Sequence, residues 1–296
     1  MKIKKLLIII CAMLLVLSAT GCGSSPNADD TAAVMAALDK FNACESFTVV
    51  QVTHLQESVK ENNVKTVYDC INEKEISLIT KPSAQMITST LDSVDYDDQH
   101  LEQFTISYIV PENGGYTEYY NDGSQWYKVS IDDGDALAGL GADSMTASFF
   151  ADKLSYRKLG EETLDSGKAV RYEGMLSGDA LMAMLELSGH LSGIESMSEK
   201  QQTSIMDNLR NDLKEMPVYV WVDQASGYPV CFQANLCETL KQMDKSVNKT
   251  LGSKAQEWTL SDYTITMTTK NFNALDQVVL PPDAADAEFY EAGSAE

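Results

Sequence analysis

Positive charge is scarce in this chain: 22 Lys and Arg stand against 44 Asp and Glu, for a formal net charge of −22. Nucleic acid needs Lys and Arg to neutralise its phosphates, so it is excluded as a partner. Anionic lipid headgroups repel the same surface. Histidine is scarcer still. His54, His100 and His190 are the three present, and none has a histidine or cysteine partner at metal-binding spacing. The acidic cluster Asp92, Asp95, Asp97, Asp98 and Glu102 lacks the central glycine and terminal glutamate of a calcium loop, which leaves a solvated loop. There is no H-E-x-x-H, P-loop, G-x-S-x-G or dinucleotide fingerprint. The S-x-x-K pattern occurs at Ser246–Lys249 and again at Ser155–Lys158, without a K-T-G to accompany it, and is taken as chance. With no converging set of titratable groups, the chain reads as a non-enzyme, without cofactor or metal. Past residue 17, no apolar run approaches the roughly 20 residues that cross a bilayer.

What is present starts at the N-terminus. Lys2, Lys4 and Lys5 precede an unbroken apolar run from Leu6 to Leu17, and Ser18-Ala19-Thr20-Gly21-Cys22 follows. A basic start, an apolar centre and small residues at the exit make a secretory signal, too short for a membrane span. A cysteine directly after the small residues offers a thiol that can carry lipid. Residues 1–21 are therefore expected to be cleaved, and Cys22 to become the lipid attachment site on the outer, extracytoplasmic face of a cell membrane. Two acyl chains there would hold the protein firmly, where one holds weakly. The segment resembles the lipobox of bacterial lipoproteins, with Ala19 where that group prefers Leu. Cleavage removes three lysines and no acid, so the mature chain is more acidic still.

Four cysteines follow Cys22: Cys44, Cys70, Cys231 and Cys237. An exported chain can form disulfides, and four cysteines allow three pairings. Cys231 and Cys237 fall in a strand-like run, 229–240, on one face. Six residues of strand span roughly 20 Å, too far for a disulfide. If disulfides form, each of these two reaches back to Cys44 or Cys70. Free buried thiols are the alternative.

Residues 22–30 are small and polar, a lipidated tether. Asp30 or Thr31 can cap a helix carrying Val34, Leu38 and Phe41 and ending near Asn42. Strand patterns follow over 46–55, 65–80, 85–94 and 104–110. Residues 116–120 and 125–131 flank Asn121-Asp122-Gly123, the strongest hairpin signal in the chain. A second hairpin joins 162–164 to 168–176, and a third joins 218–223 to 229–240. A threonine-rich strand covers 258–271, and a short last strand covers 278–280 before Pro281-Pro282. Two helical insertions are expected. One covers 135–154. The other covers 179–216, splits near 189–198, and restarts at the capping box Ser198-Glu199-Lys200-Gln201 with Ile205, Met206, Leu209 and Leu213 on one side.

The order of elements, with Tyr119-Tyr120-Asn121-Asp122-Gly123-Ser124-Gln125-Trp126-Tyr127-Lys128 and Trp221-Val222-Asp223-Gln224-Ala225-Ser226-Gly227-Tyr228-Pro229-Val230, resembles the LolA/LppX/LprG-like bacterial lipoproteins, especially their uncharacterised Gram-positive branch. The resemblance implies an α+β, mainly antiparallel β fold. Its sheet would be a strongly curved, unclosed half-barrel of about ten or eleven strands, with helices packed in the concave face. That gives a single domain over 31–290, with an acidic tail at 291–296. It also implies a concave face able to hold a lipid or other apolar ligand.

One constellation points to an apolar ligand independently. Met175, Met182, Met184, Met197, Met206 and Met216 crowd into the second insertion, and methionine adapts to varied apolar surfaces. Trp126, Met182, Met184, Leu185, Met206, Leu209 and Trp221 are the expected cavity and lid residues. The competing reading is a solid core plug. On that reading the protein is a non-enzymatic surface lipoprotein that contacts envelope proteins and holds no small ligand.

Overall fold

The computed structural model describes residues 26–61, 64–80, 83–95, 99–112, 114–131, 154–187, 190, 191, 194, 197–252 and 258–289. The signal segment, Cys22, the insertion expected over 135–154 except Leu154, and the acidic tail expected at 291–296 lie outside the described residues.

Helix α1 spans Ala28–Asn42, and its cap is Asn27, three residues earlier than Asp30. Asn27 wins because its side-chain oxygen accepts the Asp30 N–H at 2.7 Å, satisfying a donor the helix cannot. The same end ties into the sheet. Tyr156 donates its N–H to Thr31 Oγ1 at 2.9 Å, and Lys158 donates to Asp30 Oδ2 at 2.9 Å. These bonds occupy backbone donors on an edge strand that would otherwise stand free.

The strands are β1 Ser46–Glu61, β2 Val64–Thr80, β3 Ser83–Val94, β4 His100–Glu112, β5 Gly115–Asn121, β6 Trp126–Ile131, β7 Tyr156–Leu164, β8 Gly167–Leu176, β9 Met216–Asp223, β10 Pro229–Asn235, β11 Trp258–Lys270 and β12 Glu288–Phe289. They form one sheet in the order β12-β6-β5-β4-β3-β2-β1-β11-β10-β9-β8-β7. Pairing is antiparallel throughout except for β12 beside β6. The two ends of this order do not meet, so the sheet is a curved half-barrel that stays open. The expected Asn121-Asp122-Gly123 turn is in place: Gly123 takes φ +95°, and its N–H donates to Asn121 Oδ1 at 2.7 Å.

Three further helices are described: α2 Gly178–Leu187, α3 Glu199–Asp212 and α4 Cys237–Leu251. Helix α3 starts at Ser198, and Gln201 Oε1 accepts the Ser198 N–H as the capping box requires. Helix α4 corrects the strand expected over 229–240, which stops at Asn235. Asn235 Oδ1 accepts the Cys237 N–H at 2.9 Å, turning the chain. Leu240, Met243 and Val247 then recur at helical spacing against the core, and Gly252 at φ +64° ends the helix.

The expected strand at 278–280 is also corrected. Val278 and Leu280 pack against an aromatic cluster instead, and Pro281 and Pro282 have no N–H for a ladder.

The main core lies on the concave face. There α1 packs on β7, β9 and β10, α4 packs on β11, and α3 packs on α4. Leu185, Ile205, Leu209, Val218, Val220 and Ala234 are fully buried in it. At its margin the Tyr156 ring lies across Gly174, where an added Cβ would sit 2.7 Å from the ring, so glycine is required there. The Tyr156 hydroxyl is buried with no hydrogen-bond partner. Burial pushes its ionisation far up. Tyr156→Phe removes that orphan group and is expected to raise stability by about 1 kcal/mol in urea unfolding. A loss of stability would refute an unpaired hydroxyl.

Candidate functional site

Register assigns each strand residue to a face, because directly opposed residues share one. One row runs Trp221–Cys231–Thr268–Val50–Glu75–Thr88–Ile106–Asn121–Trp126. The next row over, Val220–Phe232–Met267, belongs to the helix-covered core. Trp126 and Trp221 therefore both point to the convex face, away from Met182, Met184, Leu185, Met206 and Leu209.

Each tryptophan has its own convex surroundings. Trp221 donates Nε1–H to Glu162 Oε2 at 2.7 Å and lies under the Arg171 guanidinium, 4.9 Å from the ring centre. Trp126 packs 5.9 Å from Tyr108 and under the C-terminal segment, with Val278, Leu280, Ala284 and Ala287.

The other five expected lining residues do come together, but as packed core. Met182 is 5% exposed, Met184 2%, and Leu185 and Leu209 0%. Met206 packs on their margin. The methionines fill space between helices, the use that their flexibility suits.

The four cysteines are free thiols. By register Cys231 faces the convex side and Cys70 the concave side, because Cys70 opposes Leu55, a residue packed on the main core. Those two cannot bridge through the sheet. The Cys44 and Cys237 thiols turn to backbone carbonyls, of Lys40 at 3.5 Å and Leu260 at 3.4 Å.

Away from the helices the concave face changes character. One row reads Phe47–Leu78–Gln85–Ile109–Glu118–Val129, and the next reads Val49–Ile76–Ile87–Ser107–Tyr120–Tyr127. Beyond these the rows turn polar, as in Gln51–Lys74–Ser89–Thr105. The described helices concentrate on β7 and β9–β11, and β3 to β6 carry a mixed face of aliphatic, tyrosine and hydroxyl groups, of which Gln85, Ser107 and Ile109 are buried. Further along the face, His190 stacks edge-on against Tyr263 at 5.2 Å. Burial pushes the His190 imidazole down and the Tyr263 phenol up. The Tyr68 phenol is pushed up to about 12, first by its hydrogen bond to Cys70 and then by burial.

A separate groove of about 760 Å³ opens beside β7, β8 and the start of α2. Pro26, Arg157, Glu173, Asp179 and Glu215 line it, and Arg157 and Glu173 are paired. It is charged, and none of the seven expected lining residues borders it.

No family model matches the chain, and no curated protein matches it. Several solved structures are similar to it. The lipoprotein LppX of Mycobacterium tuberculosis has 13% identity and a TM-score of 0.37, over 85% of this chain and 98% of that one. LprF of Mycobacterium bovis has 11% identity and a TM-score of 0.45, over 87% and 98%. A LolA superfamily protein of Nitrosomonas europaea has 9% identity and a TM-score of 0.21, over 82% and 94%. These are proteins of the kind that the two hairpin segments resemble. The architecture described for this chain rests on its own strand order and register.

Sequence reading missed one constellation. His54 Nδ1 lies 2.8 Å from Asp262 Oδ2, and its Nε2 lies 3.0 Å from Asp69 Oδ1, across β11, β1 and β2. Asn235 and Thr264 also donate to Asp262 Oδ1, and Gln56 donates to Asp69 Oδ2. No local spacing signals this, since the two aspartates are 193 residues apart in number. The arrangement ties three strands together on the convex side.

Proposed function

We propose that this protein is a lipoprotein held on the outer face of a cell membrane by lipid on Cys22, and that it binds a lipid or other apolar molecule. The site is the part of the concave face carried by β3 to β6, not the methionine helices. One observation supports this reading above the others. Aliphatic and aromatic side chains, Ile87, Ile109, Tyr120 and Tyr127, share this face with Ser107 and Gln85, beyond the strands on which the described helices concentrate. Mostly apolar surface with a few placed polar groups is the usual make-up of a small-molecule site.

The solid packing of Met182, Met184, Leu185 and Leu209 favours a second reading, a lipoprotein that contacts envelope proteins and holds no small ligand. Native mass spectrometry with lipid extraction, on protein made in its own host, separates the two. Co-purifying lipid in stoichiometric amount is expected; its repeated absence would establish the second reading.

A further inference from the structure

Gln85 is the one buried polar residue in its row. It sits on β3 between Leu78 and Ile109, which are 2% and 6% exposed, while Gln85 itself is 0% exposed. Both its amide nitrogen and its carbonyl oxygen are buried without a hydrogen-bond partner. More than nine in ten buried polar groups in folded proteins are paired. Leucine or methionine would fill the same space and leave nothing unsatisfied. The amide is therefore a cost to the folded chain, and register aims it at the same concave face as Ile76, Ile87 and Tyr120.

We propose that Gln85 is the polar hook of the ligand site, and that the ligand is a long-chain lipid bearing a neutral hydroxyl or amide group. This rests on the reading of the concave face given above and deepens it. A glutamine amide offers two N–H donors and one carbonyl acceptor. Its complement must both donate and accept, which a hydroxyl or a carboxamide does and a bare hydrocarbon does not. A carboxylate is disfavoured, because Glu118 stands next along the row after Ile109, roughly 10 Å from Gln85 at strand spacing. The aliphatic chain would run along Ile76, Ile87, Tyr120 and Tyr127, whose row adjoins that of Gln85.

The test uses the whole mature chain and four probes of one length: dodecanamide, dodecanol, dodecanoate and dodecane, each competing with a fluorescent fatty probe. The preference for dodecanamide and dodecanol over dodecane is expected to fall about tenfold or more from wild type to Gln85→Met, the worth of one buried hydrogen bond. Dodecanoate is expected to bind more weakly than dodecanamide. In wild type, the Gln85 side-chain amide signal in a nitrogen-15 spectrum is expected to move with dodecanol and to stay with dodecane, a readout that needs no variant to fold. Unchanged preference in Gln85→Met, or an amide signal indifferent to dodecanol, overturns the assignment of Gln85 and leaves the apolar-ligand reading standing. Failure of all four probes to bind overturns that reading, and the hook with it.

Discussion

Leu209→Ala is expected to lower stability by about 2–5 kcal/mol, the range for truncating a fully buried leucine. Leu209 is 0% exposed and lies with Ile205, from its own helix, in the main core, where α3 packs on α4 and α2. The replacement removes three carbons from a region where the neighbours are already close-packed, so the space cannot refill. Met206→Ala, on the margin of the same cluster, is expected to cost less than half as much. Urea unfolding of both variants measures the difference. The comparison separates a plug from a lid. A lid helix that opens over a ligand has few buried contacts to lose, so near-equal small losses at both positions would refute the packed-core description.

Cys22→Ala is expected to abolish lipid labelling completely. In the wild type, metabolic labelling with a radioactive fatty acid should mark the protein, and intact mass should show two acyl chains on a polypeptide that begins at residue 22. The alanine variant offers no thiol, so neither signal should appear. Cys44→Ala is expected to keep the label, since Cys44 is buried just past the C-terminus of α1. Label that persists in Cys22→Ala would place the lipid elsewhere or refute it. The proposed anchor bears on the site through geometry. Pro26 and Asn27 follow Cys22 closely, and the Asn27 N–H donates to the Tyr156 carbonyl at 3.3 Å. Asn27 is thus pinned to the β7 edge of the sheet, and a lipid on Cys22, as proposed, would lie within roughly 20 Å of chain from it. That edge also borders the charged groove that Pro26 lines, while the proposed ligand surface lies toward the other edge.

Much of the chain was legible because its signals are local. Hairpin turns such as Asn121-Asp122-Gly123 depend on a few adjacent residues, as does the Ser198 cap of α3. The helix α4 was missed because Asn235 is the single turn residue between the strand Pro229–Asn235 and Cys237, with no Gly or Pro beside it. A short apolar run reads equally well as strand or helix until the 3.6-residue spacing of Leu240, Met243 and Val247 is allowed to outweigh it. The cap lies at Asn27 because Asn27, Asp30 and Thr31 are all competent caps, and the Asp30 and Thr31 side chains accept from Lys158 and Tyr156 while Asn27 accepts the Asp30 N–H.

By itself, then, the sequence determined the strand-rich class, the hairpins, the acidic surface and the expectation of a lipidated Cys22, because each depends on composition or on neighbours in the chain. The tertiary structure alone decided which face each side chain meets. Alternation says that two faces exist, not which of them the helices cover, and a shift of one residue in register exchanges them. That is why Trp126 and Trp221, expected in the cavity, lie on the convex side. It is also why His54 meets Asp69 and Asp262, and why Gln85, unremarkable in the sequence, is left buried and unpaired on the concave face.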